Sequence, residues 1–169
     1  WEGRKNVTVL MRAYAEAQRP DVELVLAGGT ELEIGQLSES AARLNGEGRI
    51  RLEGTVPDED MRALYAEALC FVYPSLYEGF GLQLCEAMAT GCPTLASSTT
   101  SLPEVLGDGG ETFDPNRTEE LSTLLRRVST EPDYRSELVS RALARSREFS
   151  WERTASLTLA VYQQVKEAR

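Results

Sequence analysis

Leu69-Cys70-Phe71-Val72-Tyr73 runs directly into Pro74-Ser75-Leu76-Tyr77-Glu78-Gly79-Phe80-Gly81. The first five residues are almost wholly apolar, which is the pattern of a parallel strand covered by helices on both faces. Pro74, Gly79 and Gly81 make the next segment a loop. Beyond it Leu82, Cys85, Met88 and Ala89 fall on one helical arc, and Gly91 closes the helix. A strand, a glycine-bearing loop and a helix in that order form the unit at which open α/β sheets bind ligands, outside the C-terminal ends of the strands.

The same alternation continues on both sides. Upstream, residues 5–19 carry Val7, Leu10, Met11, Tyr14 and Ala15 on one helical face, stopped by Pro20-Asp21. Residues 22–27 read as a strand, Gly28-Gly29 as its tight exit, and Thr30 as the cap of a helix ending near Asn45-Gly46. A second strand is expected at 49–54 and a helix at 59–67. Downstream follow a strand at 92–97, a short helix at 101–106, a short strand at 111–113, and helices near 118–129, 133–148 and 151–167. Every crossover contains a helix, so the expected fold is α/β: a Rossmann-like parallel sheet with helices on both faces. The 169 residues suit one domain, 1–169, with no repeat or linker.

Composition narrows the chemistry. Hydrophobic residues make up 41% and charged residues 27%, an ordinary globular balance. No apolar run approaches the ~20 residues of a membrane span. The net charge of −9 argues against nucleic acid as a partner, although a small phosphate ligand needs only a local basic spot. Cys70, Cys85 and Cys92 form no CxxC pair and read as buried free thiols in a reducing compartment. With no histidine, the usual zinc sites and the Ser/His and Cys/His nucleophile schemes are absent. No metal or cofactor is therefore expected, and any protein acid or base is a carboxylate or lies elsewhere. Residues 1–5 show no apolar stretch behind a basic leader and read as a cut, with a cytoplasmic location expected.

Two loops at strand ends could carry ligand chemistry. Gly28-Gly29-Thr30 resembles a shortened glycine turn but lacks the full GxGxxG or Walker pattern, so it reads equally as a plain strand-to-helix turn. Glu78-Gly79-Phe80-Gly81 lets backbone N–H groups approach a ligand at a helix N-terminus, though turns of this composition are commonly structural. If the helix starts near Gly81, Glu86 lies ~7.5 Å further along the axis, roughly a diphosphate's length. There it can accept hydrogen bonds from two ribose hydroxyls, or serve simply as a solvated boundary residue.

The segment from Pro74 to Pro93 (PSLYEGFGLQLCEAMATGCP) resembles the E-x7-E signature of retaining GT-B glycosyltransferases. These are the glycosyl transferases group 1, or family 4, including glycogen-synthase-like, sucrose-synthase-like and mannosyltransferase-like members. Arg4-Lys5-Asn6 resembles the basic element after the first strand of that family's C-terminal domain. Ser101-Leu102-Pro103-Glu104-Val105, Gly107-Asp108-Gly109-Gly110 and Phe149-Ser150-Trp151 resemble its downstream landmarks, so the resemblance spans essentially the whole chain.

This resemblance implies a hexosyltransferase domain that binds a nucleoside diphosphate sugar. Glu78 matches the glutamate beside the donor sugar, and Glu86 the one that holds the ribose. Gly79, Phe80, Gly81 and Leu82 match the segment beside sugar and phosphates, with Leu82, Leu84 and Ala87 packing the helix. Lys5, helped by Arg4, matches the cation that neutralises the leaving diphosphate. Gly54-Thr55-Val56 matches the loop that meets the base, and Gly28 and Gly29 add to the donor wall. Gln83 stands where relatives often have proline. The resemblance further implies that a first strand lies ahead of this chain. It also implies an N-terminal acceptor-binding GT-B domain elsewhere, which could attach peripherally to the cytoplasmic membrane face. The isolated domain is then expected to be inactive. Two alternatives stay open: a non-catalytic nucleotide-sugar-binding module or subunit, and a GT-B nucleotide-sugar epimerase fragment. The final helix, with Ala155, Leu159, Tyr162 and Val165 at helical spacing, either packs on this domain's sheet or awaits the other half.

Overall fold

Short parallel strands alternate with helices through the first two thirds of the computed structural model, which describes residues 3–19, 21–44 and 49–167. After a 3-10 turn at Gly3–Lys5 come α1 (Val7–Ala17), β1 (Leu24–Leu26), α2 (Glu31–Leu44), β2 (Ile50–Leu52), α3 (Asp58–Glu67), β3 (Phe71–Tyr73) and α4 (Leu82–Ala89). Then follow β4 (Thr94–Ser97), α5 (Leu102–Leu106) with a 3-10 turn at Gly107–Gly109, β5 (Glu111–Phe113), α6 (Thr118–Thr130), α7 (Pro132–Ser146) and α8 (Trp151–Glu167). The first helix is shorter than its apolar period suggests because Asn6 (φ 52°) and Gln18 (φ 53°) are left-handed and bracket it. The stops expected at Pro20 and at Asn45-Gly46, like Trp1-Glu2, lie outside the described residues. Thr30 does cap α2: its amide donates to Glu33 at 2.7 Å and the Glu33 amide returns to Thr30 Oγ1 at 3.4 Å.

All strand pairs are parallel, as the helical crossovers require. Leu24 lies opposite Ile50 in one ladder; Phe71 faces Thr94, and Ala96 faces Thr112, in the other. The single sheet expected from the sequence is here two hydrogen-bonded ladders, β1-β2 and β3-β4-β5. They share one apolar core, in which Val7, Leu10 and Met11 of α1 meet Leu26, Ile50, Leu95, Phe113, Leu121 and Val128. No bond joins β1 to β3 among the described residues, and Leu24, Val25, Phe71 and Val72 are only half-buried. Near the N-terminal ends of these two strands a cavity of about 40 Å³ is lined by Tyr14, Ala17, Val22, Leu69, Cys70 and Val128.

Two expected packing assignments change. On α4 the expected arc of Leu82, Cys85, Met88 and Ala89 is met at Met88, but Leu84, Ala87 and Met88 form a second apolar arc, so periodicity alone does not orient the helix. The sheet takes the second arc: Leu84, Ala87 and Met88 are fully buried, whereas Leu82 is 53% exposed and does not pack the core. The last helix does not pack on its own domain either. Every described residue of α8 is exposed, including Trp151 at 79% and Tyr162 at 68%. No disulfide links the cysteines, and burial pushes the Cys92 thiol up to about 12.

The turn between α5 and β5 is held by arginines of α7. Arg141 donates to the Asp108 and Gly110 carbonyls and to Glu111, and Arg145 donates to the Glu104 and Val105 carbonyls. Gly110 lies against buried β4, where an added Cβ would stand 2.1 Å from the Thr94 carbonyl oxygen. Nothing comes within 4 Å of a Cβ built on Gly79. Gly110→Ala should therefore lower stability by ~3 kcal/mol or more. Gly79→Ala should leave it within ~0.5 kcal/mol. Denaturant midpoints of the two variants against the parent chain check this.

Candidate functional site

Parallel strands deliver their C-terminal ends to one edge of the domain, and the polar clusters gather there. Tyr73 ends β3, and the chain then loops through Pro74–Gly81 before α4. Gly81 takes φ 100° at the start of α4, with Leu102 2.9 Å from where a Cβ would sit, so this position requires glycine sterically and conformationally. Gly79 lacks both constraints, and the two glycines of the motif have different roles. The first turn of α4 has no side-chain cap; the Leu84 amide donates to the Gly81 carbonyl at 2.9 Å, and the Leu82 and Gln83 amides at the helix start suit an oxygen ligand.

Glu78 is the centre of this cluster. Its Oε1 accepts from Lys5 Nζ at 2.7 Å and from Arg4 Nη1 at 3.0 Å, with Glu78 only 11% exposed. The Leu76 amide donates to the Arg4 carbonyl at 2.7 Å, locking residues 3–5 beside the end of β3. Burial pushes the Glu78 carboxyl up, but the hydrogen bond and charge of Lys5, with the nearby Ser75 hydroxyl, outweigh it, so the net shift is downward. Ser75 is fully buried, and its Oγ lies beside that carboxylate without a hydrogen bond of ordinary geometry.

Residues after β4 hold the loop in place. The Glu78 amide donates to Thr100 Oγ1 at 3.2 Å, Ser101 Oγ donates to the Glu78 and Phe80 carbonyls at 3.0 and 3.1 Å, and Thr99 Oγ1 donates to the Ser75 carbonyl. Thr100 has φ 52°, a sterically costly conformation for a β-branched residue. Sequence reading assigned none of these hydroxyls a role; the run Ser97-Ser98-Thr99-Thr100-Ser101 at a strand's C-terminal end is the signal that could have found them. Tyr73 was read only as the end of an apolar strand. Its hydroxyl accepts from Lys5 Nζ at 3.3 Å and donates to Gln83 at 3.0 Å.

The chain's regular alternation brings Arg4, Lys5 and Glu78 together with the Gly79–Gly81 loop. Phe80 turns its ring onto Phe149, with centroids 6.2 Å apart, leaving its main chain toward the loop. Glu86, an exposed residue of α4, accepts from Tyr65 at 3.3 Å. Burial, and then the negative charges of Glu78 and Glu86, raise the Tyr73 pKa. The other loops stand apart from this cluster. Gly28 (φ 96°) and Gly29 (φ 83°) make the exit from β1, and the Gly28 amide donates to the Gly54 carbonyl at 2.9 Å. Thr55 and Val56 border a cavity of about 340 Å³ with Arg51, Glu53, Pro57 and Asp60. No described contact joins these positions to Glu78. Among the described residues no group of three acidic or cysteine side chains is placed to hold a metal ion, and no helix is long and apolar enough to cross a membrane.

A family model described as Glycosyl transferases group 1 matches residues 1–145. The chain belongs to that glycosyltransferase family. It is 42% identical over 164 residues to the O-antigen chain mannosyltransferase B of Escherichia coli, covering 95% of this chain and 43% of that protein. Sucrose-phosphate synthase of Thermosynechococcus elongatus superposes with a TM-score of 0.86 at 28% identity, covering 99% of this chain and 44% of that one. Anabaena HepE, solved with UDP and glucose, gives a TM-score of 0.80 at 23% identity over 99% of this chain and 45% of its own, a likeness of fold. The architecture is thus the C-terminal half of the GT-B glycosyltransferases, and this group 1 domain spans less than half the length of the relatives named.

The Glu78 ion pairs carry a pH signature. A carboxyl whose folded pKa lies below its ordinary 4.5 contributes stability that is complete above that value and is lost as pH falls through the folded value. The stability of the parent chain relative to Glu78→Gln should therefore be constant near neutrality and shrink as the pH falls below the ordinary carboxyl value of 4.5. Paired denaturation curves across that range check the sign.

Proposed function

We propose that this chain is the donor-binding half of a glycosyltransferase that moves a hexose from a nucleoside diphosphate sugar to an acceptor with retention of configuration. The observation that carries this reading is the convergence of Lys5 and Arg4 on one oxygen of Glu78, beside the uncapped start of α4. Those two cations are near enough to one another to meet a diphosphate. Negative charge grows on the leaving phosphate oxygen as the sugar bond breaks, so fixed cations there favour the transition state over the bound donor. The main chain of Gly79–Gly81 and the Glu78 carboxylate then face the hexose. Glu86, exposed on α4 with Tyr65 behind it, receives the ribose hydroxyls. Gly54-Thr55-Val56, beside the 340 Å³ cavity, meets the base, with Gly28 and Gly29 completing that wall. The mannosyltransferase relative and the UDP-bound neighbour support this donor class.

The separation of the two ladders supports an extension of this reading. In a doubly wound sheet of order 3-2-1-4-5-6, β2-β1 and β3-β4-β5 occupy every position except the central one. The Leu76–Arg4 bond puts residues 3–5 at the C-terminal end of that position. A strand ahead of residue 3 in the intact protein fits between β1 and β3, covering their half-buried side chains. The exposed apolar residues of α8 likewise support an N-terminal acceptor domain as the partner of this half.

Two measurements test the proposal. Glu86→Gln, which exchanges a charged acceptor for a neutral one, should weaken binding of the best of UDP, GDP and ADP by roughly 1–3 kcal/mol by calorimetry while the fold survives. Unchanged affinity would remove Glu86 from the ribose site. The chain alone should bind nucleotide yet transfer no sugar, because acceptor positioning is worth ~7–11 kcal/mol and depends on the other domain. Supplying the N-terminal half should restore acceptor-dependent, configuration-retaining product with little change in nucleotide affinity. Efficient transfer by the 169-residue chain would overturn the half-enzyme reading.

A further inference from the structure

Resting on the donor-site reading above, we propose that Tyr73 and Gln83 are positioning residues that aim the Lys5 ammonium at the ligand. Tyr73 is 7% exposed at the end of β3, and Lys5 Nζ sits 5.1 Å from its ring centroid. The same nitrogen donates to the phenol oxygen at 3.3 Å and to Glu78 Oε1 at 2.7 Å. The phenol in turn donates its one proton to Gln83 Oε1 at 3.0 Å. These contacts form a directed chain in which each group has a single consistent role.

The direction follows from charge. Burial, then the charge and hydrogen bonding of Glu78, raise the Tyr73 pKa, so the phenol keeps its proton and must give it to an acceptor. Two acceptors compete for it: the Gln83 amide oxygen and the Glu78 carboxylate, which the Tyr73 hydroxyl also helps to stabilise. When Gln83 takes the proton, the Tyr73 lone pairs face Lys5 and Glu78 Oε1 is left to the two cations. Without Gln83 the proton turns to Glu78, and the phenol competes with Lys5 for the carboxylate instead of receiving it. Gln83 therefore acts at one remove, through Tyr73, on an ammonium it does not touch.

The chain contains only two lysines, Lys5 and Lys166, which permits a readout free of any ligand. In 15N-lysine-labelled protein, Tyr73→Phe and Gln83→Leu should each speed exchange of the Lys5 ammonium protons by about 3-fold or more, leaving Lys166 unchanged. Tyr73→Phe keeps the buried ring, and Gln83 is exposed on α4, so both variants retain the fold. Gln83→Glu retains an acceptor oxygen and should preserve slow Lys5 exchange. With UDP, GDP and ADP, each of the two disrupting variants should bind the preferred diphosphate about 3- to 10-fold more weakly, with no change for the matching nucleoside. The double variant should be no weaker than the worse single one. Unchanged Lys5 exchange in both variants would overturn the positioning role. Altered exchange with undiminished diphosphate binding would overturn its service to the ligand. Altered exchange in a parent chain that binds no nucleotide would retain the positioning role and sink the donor reading instead.

Discussion

A single carboxylate oxygen, Glu78 Oε1, accepts from both Lys5 and Arg4 and so joins the beginning of the chain to the loop after β3. Two cations brought this close need a buried or half-buried anion between them, or their repulsion would splay the loop outward. Glu78 supplies that anion, and its own burial is tolerable only because the cations and neighbouring hydroxyls are there. The main-chain bond between Leu76 and Arg4 fixes the two segments at the same depth. The loop after β3 and the residues after β4 that hold it are arranged around that ion cluster.

The arrangement works because the scaffold behind it is close-packed. Strand β4 is buried along its whole length and aligns the loop that follows it, from which Thr99, Thr100 and Ser101 grip the Glu78 loop. On the far side, Arg141 and Arg145 satisfy carbonyls of the α5–β5 turn that would otherwise lie unpaired against the core. The α7 arginines thus serve structure, while the arginine and lysine near residue 5 face the open edge. Basic side chains take different roles here: those of α7 chiefly tie down main-chain carbonyls, whereas Arg4 and Lys5 converge on the largely buried Glu78 carboxylate.

Two apolar surfaces remain only partly covered among the described residues. β1 and β3 leave apolar side chains half-buried between them, and α8 carries an apolar stripe over none of its own domain. Exposed apolar area of this extent normally marks an interface. Lys5, Glu78 and the start of α4 line a single edge of the domain.

How much was legible in the sequence differs between elements and contacts. Every strand and helix was visible as a pattern, because apolar period, glycine and proline positions and the strand-to-helix alternation are local properties. The significance of the Glu78 and Glu86 spacing came only through the resemblance to the glycosyltransferase signature, whereas the chemical types of Glu78, Glu86, Arg4 and Lys5 were plain in the sequence. The arc of α4 that meets the sheet was not, since Leu82-Cys85-Ala89 and Leu84-Ala87-Met88 are both apolar and only the sheet's position chooses between them. Nor was the division into two ladders, because the strand pattern says that strands pair but not which neighbours are present. The roles of Tyr73, Ser75, Gln83 and Thr100 depend on contacts between residues far apart in sequence, where a phenol or a hydroxyl has no periodic signature. Sequence alone therefore determined the alternation, the parallel topology and the identity of the charged groups, all of which follow from local chemistry and chain handedness. Tertiary structure alone decided which of those groups meet, at what distance and with which proton donor, because only folding brings residue 5, residue 73 and residue 78 within a hydrogen bond of one another.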